Sequence, residues 1–97
     1  MRRYGHQGKA DANTKEIVDD LRKHPDIRVR FIGKPVDLIV GYDGVTTLIE
    51  IKNPDGKDLR GKSWEDQQKF IADWPAPVPV CKTYDEVLEA IHYKREV

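Results

Sequence analysis

Asp37, Glu50 and Lys52 are the residues whose types and spacing could do chemistry, and all lie in the stretch PVDLIVGYDGVTTLIEIK, Pro35 to Lys52. Two apolar runs, Val36–Val40 and Val45–Ile51, flank Asp43-Gly44. An Asp-Gly pair between β-rich runs signals a two-residue hairpin, because a type I′ turn needs positive φ at both central residues. With Asp43 and Gly44 in those places, Tyr42 faces Val45, Val40 faces Thr47, Leu38 faces Ile49 and Asp37 faces Glu50. Side chains alternate along a strand. One face therefore carries Val36, Leu38, Val40, Thr47, Ile49 and Ile51, and the other Asp37, Ile39, Leu48, Glu50 and Lys52. Carboxylates directly opposite each other stand roughly 5 Å apart at Cβ and repel unless something offsets them. A divalent cation is the simplest relief. Mg²⁺ takes oxygen ligands and is held by one or two carboxylates plus substrate phosphate. Lys52, on the same face as Glu50, can neutralise charge or orient a water against a phosphodiester. The plainer alternative is a solvated strand, with Glu50 and Lys52 an exposed pair and Asp37 an ordinary strand-end acid.

Asp37, followed by Glu50-Ile51-Lys52 at the end of the next strand, resembles the metal-dependent PD-(D/E)xK nuclease superfamily. Here Val36 stands between Pro35 and the aspartate, a departure from the family pattern. The segment Ala10-Asp11-Ala12-Asn13-Thr14-Lys15-Glu16-Ile17-Val18 resembles the opening helix of small stand-alone phage nucleases of that superfamily. These are relatives of the virus-type replication-repair (VRR-Nuc) and Holliday-junction-resolvase-like nucleases. The resemblance implies Mg²⁺ or Mn²⁺ held by Asp37, Glu50 and the main-chain carbonyl of Ile51. It adds Glu16 from the helix, with Asp20 in reserve, and places Gln67 near the active centre, with Gln68 beside it. It runs from about Ala10 to Ile91 and implies DNA as substrate, with a homodimer allowing paired cuts. A solvated helix acid near Lys15 and Lys23 is the alternative for Glu16.

The elements that must position these groups follow from pattern and punctuation. Residues 1–10 lack periodicity and read as a flexible basic arm, and residues 11–97 as a single domain. Asp11 to His24 reads as a helix capped by Asp11 or Asn13, with Ile17, Val18 and Leu21 as its apolar stripe and Pro25 as its stop. Ile27 to Ile32 alternates apolar and basic residues and reads as a first strand, antiparallel to the next. Its Arg28 and Arg30 point to one face, either merely solvated or facing DNA. Asn53 to Ser63 is a turn-rich loop leaving the Glu50/Lys52 end of its strand. Ser63 to Trp74 reads as a second helix with Ser63 and Asp66 as a capping box, and with Trp64, Phe70 and Trp74 in the core. Val78–Cys81 is a short strand reached by a crossover through that helix, hence parallel to a hairpin strand. Thr83 and Glu86 cap a last helix whose apolar face is Val87, Leu88 and Ile91. The order helix, three strands, helix, strand, helix gives an α/β (α+β) domain. A small mixed sheet flanked by helices, in the αβββαβα order, matches the restriction-endonuclease-like core.

At 97 residues the chain has room for one modest core. The net charge of zero argues against a strongly basic nucleic-acid binder, but the charge is uneven: residues 1–34 hold nine Lys/Arg against five Asp/Glu, and residues 63–97 four against seven. Arg2, Arg3, Lys34, Lys57, Arg60 and Lys62 are the candidates to face a DNA backbone. The single cysteine, Cys81, excludes an internal disulfide and a thiolate zinc site. No signal-peptide or membrane-spanning pattern is present, so the expectation is cytoplasmic, in a bacterial host for a phage or prophage protein. A metal-dependent DNA endonuclease, sequence-independent or structure-selective, is the expected function. A catalytically silent nucleic-acid-binding or assembly module on the same fold is the alternative.

Overall fold

The structure, a computed structural model, describes residues 8–55 and 61–95, with side chains from residue 12 onward. Helix α1 (Gly8–Leu21) leads into strands β1 (Ile27–Phe31), β2 (Leu38–Tyr42) and β3 (Val45–Ile51). Helix α2 (Lys62–Asp73), strand β4 (Val80–Cys81) and helix α3 (Tyr84–Ala90) complete the chain. The sheet order is β1-β2-β3-β4, antiparallel except for the parallel β3–β4 pair. This is the α+β fold with a small mixed sheet and flanking helices.

The hairpin register is the one the Asp-Gly pair dictates. Asp43 and Gly44 have φ of 53° and 80°, and Tyr42 pairs with Val45, Val40 with Thr47 and Leu38 with Ile49. Every second residue of the central strands consequently points into one core. Leu38, Val40 and Ile49 are fully buried there, against Ile17, Val18 and Leu21 of α1 and Val87 and Leu88 of α3. Both helices therefore lie on this face of the sheet.

Several boundaries differ from the sequence reading. Helix α1 begins at Gly8, so residues 8–10 are helical, and residues 1–7 lie outside the described residues. Asn13 sits inside that helix and caps nothing. Its amide donates to the carbonyls of Lys52 (3.1 Å) and Lys82 (3.2 Å). Helix α2 starts at Lys62, behind an N-cap Gly61 at φ 90°, and no side chain caps it, so Ser63 and Asp66 form no box. Asp66 is instead paired with Lys62 one turn back, at 2.8 Å. None of α2's residues is buried, which corrects the core assignment of Trp64, Phe70 and Trp74; Trp74 is 45% exposed. The ladder of β4 is confined to Val80 and Cys81, because Pro79 has no N–H to give and contributes only its carbonyl, to Glu50 N–H at 3.0 Å. Thr83 caps α3 as expected, accepting from Glu86 N–H, while the Glu86 carboxylate reaches past it to Lys82 N–H at 2.6 Å.

Candidate active site

The two acids meet where the β2–β3 ladder runs out. Strand β2 begins at Leu38, so beyond the Leu38–Ile49 pair β3 continues without a backbone partner on that side. Side chains of the pair take over. Ile51 N–H donates to Asp37 Oδ2 at 2.9 Å, and Asp37 N–H donates to Glu50 Oε1 at 3.2 Å. The acids are thus locked face to face by reciprocal bonds to the backbone. On its other side β3 is held by β4, through Glu50 N–H to Pro79 O and Lys52 N–H to Cys81 O, the latter at 2.9 Å. Ile51, between them, turns its N–H toward Asp37.

Lys52 completes the cluster. Its Nζ lies 3.0 Å from Glu50 Oε2 and donates to Gln67 Oε1 of α2 at 2.8 Å. The same ammonium stands 4.9 Å from the centre of the Trp64 ring. Glu50 is 2% exposed and Lys52 8%, so the plain reading of a solvated surface pair does not hold. Burying two such charges is tolerated because each is paired and hydrogen-bonded.

Asp37 bears the electrostatic cost. Burial, then the charge of Glu50 opposite, push its carboxyl up to about 7, while the Ile51 N–H and the Lys52 ammonium pull the other way. Lys52, beside Glu50, and the raised proton affinity of Asp37 therefore offset part of the repulsion that the sequence alone attributes to a cation.

The candidate donors are hard oxygens: the two carboxylates, with the Ile51 carbonyl added by the resemblance. That chemistry fits Mg²⁺ or Mn²⁺ better than a softer metal. Glu16 does not join them. It is exposed on α1, and among the described residues no three His, Cys, Asp or Glu side chains converge to hold a metal ion. A cation here would rest on Asp37, Glu50, backbone and substrate oxygens. Asp20 is likewise turned aside, with Lys23 at 3.2 Å.

Of the remaining sequence candidates, Gln67 is brought to the site and Gln68 is exposed. Lys34 is exposed in the turn before Asp37, and Lys62 is engaged by Asp66. Arg2, Arg3, Lys57 and Arg60 lie outside the described residues. Two contributors escape a reading by pattern. Asn13 ties α1 to the ends of β3 and β4, and Trp64 covers the lysine. The only signal for Asn13 is its place on the helix face it shares with Ile17.

No family model matches the chain, and no curated protein or solved structure matches it. No helix among the described residues is long and apolar enough to cross a membrane.

Proposed function

We propose that the chain is a metal-dependent DNA endonuclease that hydrolyses phosphodiester bonds using Asp37, Glu50, Lys52 and Gln67. The observation that carries this reading is the juxtaposition of half-buried Asp37 with buried Glu50, with Lys52 Nζ held between Glu50 and Gln67. A purely structural strand pair gains nothing from two acids pressed together. Replacing a buried ionic cluster by apolar side chains is often neutral or stabilising, so its presence favours a chemical role.

Asp37, Glu50 and the Ile51 carbonyl would hold Mg²⁺ or Mn²⁺. Such an ion polarises a phosphodiester and lowers the pKa of a bound water. Asp37 would take part as the carboxylate. The Lys52 ammonium, beside Glu50, would orient the attacking water and stabilise the negative charge that develops on the phosphate. Gln67 fixes the Lys52 ammonium from the other side. Cutting is read as sequence-independent or structure-selective, because no base-reading element is evident among the described residues. A homodimer would allow paired cuts, and the sequence resemblance favours phage or prophage DNA in a bacterial cytoplasm as the setting.

A second reading has one observation in its favour. Both Glu50 oxygens are already satisfied, by Asp37 N–H and by Lys52, so the cluster is complete without a cation. That suits a catalytically silent nucleic-acid-binding or assembly module. Plasmid and branched DNA incubated with Mg²⁺ or Mn²⁺ separate the two. Cleavage by the wild type, reduced about 10²–10³-fold or more in a folded Lys52→Ala variant, supports the nuclease. Binding without cleavage under both metals assigns the module instead.

A further inference from the structure

We propose that the face of the sheet opposite the core carries the DNA strand into the candidate site, and that Arg30 on β1 grips its phosphate backbone. The proposal rests on the nuclease reading above and names the surface that reading lacks.

The register sets the geometry. Arg30 lies opposite Ile39, which lies opposite Leu48; Arg28 lies opposite Gly41, which lies opposite Thr46. Strand alternation puts all six on the face that bears Glu50 and Lys52, because Leu48, Glu50 and Lys52 are successive alternate residues. The other face is spent on the core with α1 and α3. Helix α2 meets the open face at its Lys52 end, through Trp64 and Gln67, and buries no residue of its own in doing so.

The two arginines differ in what occupies them. Arg28 Nη1 donates to the carbonyls of Pro25 (2.6 Å) and Ile27 (3.3 Å). Arg30 is exposed, and among the described residues its side chain has no hydrogen bond or ion pair. An arginine fork in that state offers parallel donors to a phosphate. Its row lies two residues along the strands from the row of Asp37 and Glu50, roughly 7 Å. A phosphate neighbouring the scissile one falls within the reach of an extended arginine. The floor beside Arg30 is low. Ile39 and Leu48 in its own row are half-buried, and one row further from the acids a Cβ built on Gly41 meets nothing within 4 Å, so a nucleic-acid backbone can approach the sheet closely there.

The test is binding of a fluorescein-labelled DNA duplex, followed by anisotropy in Ca²⁺ over a series of salt concentrations, with cleavage in Mg²⁺ measured alongside. Arg30→Glu is compared with Lys15→Glu, which makes the same change of charge on exposed α1. The expected result is an affinity at least tenfold weaker for Arg30→Glu, with the slope of log K against log salt reduced by about one. Lys15→Glu should bind as the wild type does. Wild-type affinity in Arg30→Glu, or equal weakening in both variants, overturns the proposal while leaving a cleaving wild type as a nuclease. A wild type that neither binds nor cuts either the duplex or a labelled branched DNA run alongside it overturns both.

Discussion

Helices α1 and α3 seal one face of the sheet, while α2 only leans on the other. The sealed face is built from Leu38, Val40 and Ile49, each with no exposure, interleaved with helix residues buried as deeply. The second face carries arginines at one end, a half-buried apolar strip in the middle and a buried ionic cluster at the other end. Its helix keeps Trp64, Phe70 and Ile71 half-buried and Trp74 exposed. In a domain this small, one well-packed face must supply most of the stability, because apolar burial is the dominant favourable contribution to folding. The other face is thereby released to hold groups that a stability-driven sheet would exclude.

The largest expected effect breaks the comparison at the sealed face. Ile49→Ala should cost about 2–5 kcal/mol in urea unfolding, since the site is enclosed and cannot collapse fully. A cost below about 1 kcal/mol would mean the two faces are not so different.

A middle effect comes from the ionic cluster. Asp37 has a folded pKa raised to about 7, against roughly 3.9 for an unfolded aspartate. The folded state therefore binds the additional proton. That contribution is whole below about pH 4 and is lost as the pH rises toward and through 7. In EDTA, the wild type should lose stability relative to Asp37→Asn over that range, by on the order of 2 kcal/mol. A difference between the two proteins that does not change with pH would show that Glu50 and Asp37 do not share a buried site.

The smallest effect belongs to α2. Trp74→Ala should cost less than Ile49→Ala, about 1 kcal/mol, because nearly half of the residue is already exposed. Thermal unfolding beside Ile49→Ala measures both faces on one scale.

Much of this contrast is legible in the sequence. Asp43-Gly44 fixes the register, alternation assigns the faces, and together they set Asp37 against Glu50. The depth of the second face is not legible. The spacing of Trp64, Phe70 and Trp74 reports that a stripe exists on α2, but not how closely a partner approaches it. Likewise the exposure of Glu16 depends on how α1 is rotated on the sheet, which periodicity constrains only to within a residue or so. The cluster of His24 with Tyr84 and Tyr93, whose hydroxyls both bond the imidazole, is invisible for a simpler reason. Its members lie 60 and 69 residues apart in the chain, and nothing local marks them.

The Asn13 amide has a consequence for how the site can be handled. One side chain from the first helix bridges the Lys52 carbonyl just past β3 and the Lys82 carbonyl just past β4. The hairpin is therefore not a portable module: a fragment lacking the first helix would leave the tips of its two parallel strands unclasped, even with every acid and lysine of the cluster intact.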